Sequence, residues 1–345
     1  MSLRVGINGF GRIGRSFTRA LLARGLMDDV TLAAINDPFG DSEIMAFLLK
    51  HDSVSGMLEH RITATGSGLD VDGFSITKFE EKDPAAIDWK AAGVDVVIES
   101  TGLFTSREAA AAHLAGGAKK VIISAPSPDA DATICMGVND EVYSRKDHDV
   151  ISNASCTTNC LAPLAKVLDE SLGIQSGFMT TVHAYTSDQQ LQDMAAPSRK
   201  GKADVRRMRA ANLSIIPSST GAAKAIGMVL PQLAGKLDGF ALRVPTPVGS
   251  ITDLTVQVDK SASVEEVNAL FEKASNDKSY RGVLEYTAEE LVSSDIVGNP
   301  SSCIYSSPDT MATGNSVKVL GWYDNEWGYS NRLVDLAMFL EECGL

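Results

Sequence analysis

The sequence predicts an α/β protein, with a doubly wound parallel sheet over its first 155 residues and then an α+β part with a mixed or antiparallel sheet. Three observations predict it. Short, β-branched, almost wholly apolar runs such as 94–100 and 121–124 alternate with helical stretches, as parallel strands buried on both faces should. A glycine-rich turn follows the first strand and opens a helix. After Cys156 the strands lengthen and alternate polar with apolar residues, the pattern of a sheet with one covered face. At about 100–200 residues per domain, 345 residues make two domains. The expected division is 1–155 and 156–325, with 326–345 returning to complete the first.

Taken in order, Leu3–Asn8 reads as a strand, Arg12–Ala23 as a helix, Val30–Asn36 as a strand and 42–49 as a helix. The polar alternation and glycines of 59–79 predict a hairpin insertion. Strands at 94–100, 121–124 and 150–153 follow, with the helix Arg107–Ala115 between the first two. Cys156–Leu172 reads as a long helix, with Leu161, Leu164, Ala165 and Leu168 on its apolar side. Strands are expected at 177–183, 239–244, 251–258 and Ser316–Tyr323. Helices are expected at 220–229, Val264–Ser275 and 288–291, and an amphipathic helix at 331–340. Neither an internal repeat nor a low-complexity linker interrupts the pattern.

The net charge of −13 argues against a nucleic-acid partner, because phosphate backbones select basic surfaces. One window opposes the trend: Arg199, Lys200, Lys202, Arg206, Arg207 and Arg209 face only Asp204, which makes either a solvated loop or a local anion site. Apolar runs are strand-sized, short of the roughly 18 residues of a membrane span, and the start lacks a signal peptide's apolar stretch. No membrane partner and a cytoplasmic location are therefore expected. The five cysteines, Cys135, Cys156, Cys160, Cys303 and Cys343, are odd in number and scattered, unlike a disulfide framework. The five histidines are dispersed too, so no metal site is expected.

The segment G-I-N-G-F-G-R-I-G places Gly9, Gly11 and Gly14 between a strand and a helix, with Arg12 and Ile13 in the turn. In that context the three glycines serve a tight turn, a close approach of pyrophosphate to the backbone, and helix–strand packing. The helix end supplies N–H groups and partial positive charge to phosphates. Asp37, 23 residues beyond Gly14, stands where an acid accepts hydrogen bonds from the adenosine ribose and repels a 2′-phosphate. The reading is a Rossmann-type NAD site; a ligand-free turn with Asp37 as a helix cap is the alternative.

Ser155-Cys156-Thr157-Thr158-Asn159-Cys160 lies between a buried strand and a long helix. A thiol at a helix N-terminus feels a dipole that favours thiolate. Cys160, one turn on and on an apolar face, reads as a small core residue. A cysteine nucleophile needs a base, and His183 ends a strand that should approach it.

Together these segments resemble the glyceraldehyde-3-phosphate dehydrogenase family. The resemblance runs through G-I-N-G-F-G-R-I-G at 6–14, E-S-T-G at 99–102, I-S-A-P at 123–126, S-N-A-S-C-T-T-N-C at 152–160 and T-T-V-H-A-Y-T at 180–186. It continues through R-R-M-R-A-A at 206–211, S-T-G-A-A-K-A at 219–225, R-V-P-T-P at 243–247 and W-Y-D-N-E-W-G-Y-S at 322–330. The resemblance implies oxidation of glyceraldehyde 3-phosphate with NAD and inorganic phosphate, through a thiohemiacetal and a thioester on Cys156, with His183 as acid and base. It implies that Thr186 and Arg243 receive the substrate phosphate. Ser155, Thr157, Thr220, Gly221 and Arg207 would receive inorganic phosphate, and Arg206 and Arg209 would form ion pairs supporting the loop. Asn325 would orient the nicotinamide carboxamide with Tyr329 packed nearby, and Lys82, Thr101 and Ser124 would be further cofactor neighbours. A homotetramer is implied as well. The segment M-A-A-P-S-R-K-G-K-A-D-V at 194–205 departs from the family's shorter stretch and bears on NADP exclusion and subunit contact. The other readings are an erythrose-4-phosphate dehydrogenase, a semialdehyde dehydrogenase acting on an acyl phosphate, and a non-enzymatic NAD-sensing or RNA-binding module.

Overall fold

A computed structural model describes residues 2–195 and 204–345. Arg199, Lys200 and Lys202 of the basic window, and most of the divergent 194–205 segment, lie outside the described residues. The chain packs as two compact units, one of Met1–Ile134, Glu141–Ala154 and Ser330–Leu345, the other of Cys135–Asp140 and Ser155–Tyr329.

Among the described residues, the first unit carries a nine-stranded sheet in the order Ala132–Thr133, Val150–Ser152, Lys120–Ile123, Val96–Glu99, Leu3–Asn8, Val30–Asn36, Phe74–Phe79, Gly68–Val71, Ile62–Thr65. The first seven pair in parallel and the last two join antiparallel. Val96–Glu99 and Lys120–Ile123 are buried along their whole length, which is why they read as unbroken apolar runs. The polar 59–79 segment forms the antiparallel meander at one edge. Its last turn places Asp72 and Gly73 at φ 52° and 96°, the left-handed pair of a tight hairpin. The helix Arg107–Ala115 starts under Ser106, whose side chain accepts from the Ala109 N–H. Ser42–Lys50 starts under Asp41 in the same way, so Asp37 is not that helix's cap.

The second unit carries a seven-stranded mixed sheet in the order Ile216–Ser219, Leu237–Val244, Ile174–Ala184, Ser250–Val258, Ser316–Tyr323, Cys303–Thr313, Leu284–Thr287. Ser250–Val258 and Ser316–Tyr323 bury alternate residues, as their sequence alternation requires. The helix Cys156–Leu172 packs on the buried face. Leu161, Leu164 and Leu168 are fully buried, each contributing about 1.5–3 kcal/mol of apolar transfer. Gly321 permits the close approach, since a Cβ there would lie 2.7 Å from Cys303 Sγ and 2.9 Å from Leu164 Cδ1.

Three expectations are corrected. Residues 288–291 form no helix; one short apolar residue pair among acids gives no face to bury, and a single 3₁₀ turn follows at Ser293–Ile296. Strands Ile216–Ser219 and Cys303–Thr313 appear where Pro217, Pro308 and a register shift between Ser306 and Met311 break the alternation. The last helix runs Trp327–Glu342, not 331–340, because Asp324 Oδ1 accepts from the N–H groups of Glu326 and Trp327 and starts it early.

Candidate active site

In the first unit, the turn after Leu3–Asn8 is shaped for a phosphate-bearing ligand. Gly9 sits at φ 91°, and a Cβ there would lie 2.8 Å from the Thr101 nitrogen. A Cβ on Gly14 would lie 2.5 Å from Gly9 O, so this glycine allows helix and turn to touch. Gly11, by contrast, faces open space. The helix Arg12–Ala23 has no side-chain cap at Gly11 and no acid in its first turn, so its N-terminal dipole is left for an external anion. Arg12 Nη1 lies 2.5 Å from Asp52 Oδ2, and Ile13 is half-buried in the same turn. Asp37 ends the second strand; its Oδ2 accepts from Phe10 N at 2.9 Å and its Oδ1 from Phe39 N at 2.9 Å. These bonds aim the carboxylate beside the glycine turn. The donor set therefore fits a dinucleotide: amides for a pyrophosphate, an acceptor for ribose hydroxyls. Thr101 and Ser124 lie just past the ends of the neighbouring parallel strands Val96–Glu99 and Lys120–Ile123, the Ser124 N–H donating to Glu99 O at 2.9 Å, whereas Lys82 is exposed.

In the second unit, Ser155 caps the helix Cys156–Leu172, accepting from the Thr158 N–H at 2.9 Å. Ala154 immediately before it adopts φ 54°, an uncommon left-handed bend for a residue with a Cβ. Cys156 is thereby the first helical residue, and its Sγ lies 3.4 Å from His183 Nε2. His183 is buried, stacks edge-on against Tyr323 at 5.9 Å, and has Nδ1 at 2.7 Å from Ala184 O. Arg243 Nη1 lies 2.8 Å from the same Nδ1, 3.0 Å from Ala184 O and 3.3 Å from Thr186 Oγ1. We assign the imidazole proton to Nδ1, because the carbonyl only accepts and Arg243 has two other oxygens within reach. Nε2 then offers its lone pair to the thiol.

Electrostatics modify the thiolate expectation. Burial pushes the Cys156 thiol up, and the Arg243 charge and bonds from Thr157 counter it only in part. Burial, then Arg243, push His183 down to about 3. Both shifts run against charge separation, so burial opposes the helix dipole at a sulfur that is itself only partly buried.

Around this pair the structure gathers further charged and polar side chains. Arg207 bonds Asp188 and Ser218 Oγ, the latter at 2.7 Å, and its Nε lies 3.3 Å from Asp204. Asp188 also accepts from Thr186. Burial opposes its ionisation, yet the bond from Thr186 and the charges of Arg207 and Arg243 hold its carboxyl below the usual range. Thr220 and Gly221 lead into the helix Ala222–Val229, which has no side-chain cap at Gly221. Thr157 is buried, with its hydroxyl 2.9 Å from Tyr323 Oη. Asn325 is buried and accepts from Ser250 Oγ at 2.9 Å, and Tyr329 is buried close by in sequence. Arg209 pairs with Asp193 at 2.7 Å as expected of a loop support. Arg206 instead donates to the Pro217 carbonyl, since the nearest acid, Asp204, is taken by Arg207 and by backbone. Sequence reasoning gave no role to Asp188 and Tyr323; an Asp beside a Thr and a Tyr on an alternating strand carry no signal until the fold brings them in.

The chain matches the family model for the glyceraldehyde 3-phosphate dehydrogenase NAD binding domain over residues 3–107 and that for its C-terminal domain over 155–325. It is 56% identical over 341 residues to a glyceraldehyde-3-phosphate dehydrogenase of Streptomyces coelicolor, covering 99% of both chains. It is 55% identical over 341 residues to one of Mycobacterium avium, covering 98% of both. With that length of match laid over a glycine turn, a capped cysteine and its histidine, this chain belongs to the glyceraldehyde 3-phosphate dehydrogenase family.

Proposed function

We propose that the protein oxidises glyceraldehyde 3-phosphate to 1,3-bisphosphoglycerate with NAD and inorganic phosphate. The observation that carries this reading is the 3.4 Å approach of His183 Nε2 to Cys156 Sγ, flanked by Arg243 and Thr186. His183 takes the thiol proton as Cys156 Sγ attacks the aldehyde carbon, and the resulting imidazolium faces the new oxyanion. Nδ1 stays bonded to Ala184 O throughout, which holds the ring on the sulfur. NAD, when bound, supplies the acceptor for the hydride lost from the thiohemiacetal. The thioester left on Cys156 retains the oxidation energy, and attack by phosphate releases an acyl phosphate.

Arg243 and Thr186 receive the phosphate of the substrate, and Arg207, Thr220, Gly221, Ser155 and Thr157 receive inorganic phosphate. Arginine suits this role because its planar fork donates two bonds at once. Arg207 is already held by Asp188, so an entering anion exchanges for that carboxylate rather than ordering a free side chain. Gly9, Gly11, Arg12, Ile13, Gly14 and Asp37 hold NAD, with Thr101, Ser124 and Lys82 as neighbours. Asn325 orients the carboxamide, with Tyr329 nearby. Residues 1–155 with 326–345 serve the cofactor and 156–325 the substrate. The protein works as a homotetramer in the cytoplasm; among the described residues no helix is long and apolar enough to cross a membrane.

The test is NADH production from glyceraldehyde 3-phosphate with and without phosphate, in wild type and Cys156→Ser. Turnover should require phosphate and fall at least about a thousandfold in the variant, as for loss of a covalent nucleophile. Turnover indifferent to phosphate would favour the hydrolytic erythrose-4-phosphate reading.

A further inference from the structure

Behind the glycine turn, a chain of polar side chains runs across the carboxyl ends of the central parallel strands. Glu99 ends the strand Val96–Glu99 with its side chain almost wholly buried. One carboxylate oxygen accepts from Asn8 Nδ2 at 2.6 Å and from His113 Nε2 at 3.0 Å. The other accepts from the Thr101 N–H at 2.8 Å and from the Thr101 hydroxyl. Asn8 Oδ1 in turn accepts from Asn36 Nδ2 at 2.7 Å, and Asn36 Oδ1 accepts from the Glu81 N–H at 2.8 Å. At the far end, His113 Nδ1 accepts from the buried Trp89 Nε1 at 3.1 Å.

Four of these residues stand next to, or bond, a residue of the proposed cofactor site. Asn8 precedes Gly9, Asn36 precedes Asp37, and Glu81 precedes Lys82; Glu99 binds Thr101, whose nitrogen and Cα fill the space a Cβ on Gly9 would need. Ser100 Oγ adds a bond to Gly9 O at 2.7 Å. A polar network in a core is costly unless every member is satisfied, and this one is satisfied because its centre accepts only. The acceptor at Glu99 orients the Asn8 amide, which orients the Asn36 amide in turn.

We propose that Glu99 is a positioning residue for NAD binding: through Thr101, Asn8 and Asn36 it sets the relative placement of the glycine turn, the ribose-binding acid and the loop that packs on Gly9. The inference rests on the cofactor reading above and concerns the free energy of NAD capture, not the bond-making steps at Cys156. Glu99→Gln keeps the shape but turns one acceptor oxygen into a donor. With the amide nitrogen toward Thr101, the Thr101 N–H loses its acceptor while the hydroxyl can turn to accept; with it toward Asn8 and His113, both of those donors lose theirs.

The experiment is calorimetric titration of NAD into wild type and Glu99→Gln, with KM for NAD and kcat measured beside it. NAD should bind about tenfold more weakly or worse, and KM for NAD should move more than kcat. Trp89 emission should shift, because its N–H partner His113 loses its anchor. A merely structural role would lower the melting temperature and leave the dissociation constant alone, and that result overturns the inference. If Glu99→Gln does not fold, Asn36→Ala decides, because Asn36 belongs to the network and not to the proposed cofactor contacts: weaker NAD binding supports the inference, an unchanged constant overturns it. Absence of NAD binding by the wild type would overturn the cofactor reading together with this one, whereas wild-type binding with an unchanged variant overturns this one alone.

Discussion

His183 is where local chemistry and stability meet. Its folded-state pKa is about 3 against 6.5 for a free histidine, so between those values the unfolded chain binds the extra proton. The sign follows: the contribution is fully present above about pH 6.5 and is lost as pH falls toward 3. Between pH 7 and pH 5 the loss should be on the order of 2 kcal/mol. His183→Asn should therefore show a flatter fall of the urea midpoint over that range than wild type. Parallel slopes for the two proteins would contradict the buried neutral imidazole. At this scale the sequence was legible for the sulfur and the ring, because motif context names them, and illegible for Asp188 and Tyr323. Their positions depend on which strand faces which, and no local pattern states that.

The element that matters most is the turn from Val150–Ser152 into the helix Cys156–Leu172. Ala154 holds φ 54° there, a region costing a residue with a Cβ about 1–2 kcal/mol and a β-branched residue more. Ala154→Gly should stay within about 1 kcal/mol of wild type, since relief of strain offsets the entropy of glycine. Ala154→Val should lose about 2 kcal/mol or more and reduce kcat, as crowding and the bend combine. Thermal melts of both variants check the order; a valine variant as stable as the glycine one would remove the strain argument. The strands and helices flanking this turn were legible because apolar runs and capping residues sit in sequence. Cys303–Thr313 was not: its Pro308 and shifted register are tolerated because long-range pairing with Ser316–Tyr323 outweighs local preference.

For the whole molecule, the wound parallel sheet and the mixed sheet were both legible, since their patterns differ in period and burial. The division into units was harder to read at its edges: Cys135–Asp140 packs with the second unit although it lies within the first 155 residues. A ligand that binds only the folded form raises stability by mass action, about 2.7 kcal/mol at a hundred times its dissociation constant. NAD should therefore raise the melting temperature clearly, and NADP at equal concentration much less, because on the proposed reading Asp37 would meet the 2′-phosphate with like charge. Asp37→Ala should narrow that gap. Equal shifts from the two dinucleotides in the wild type would show that Asp37 does not select the cofactor.

His183 and Arg243 face each other as register partners in the parallel ladder between Ile174–Ala184 and Leu237–Val244. The proposed proton acceptor and the proposed cation for a phosphoester are thus two ends of one rung. Sliding either strand by a single residue would turn one of them to the opposite side of the sheet. Reactivity and substrate choice are consequently inherited as a unit: rebuilding this scaffold for an uncharged aldehyde means replacing the guanidinium in place, because it cannot be moved aside without misaligning the imidazole.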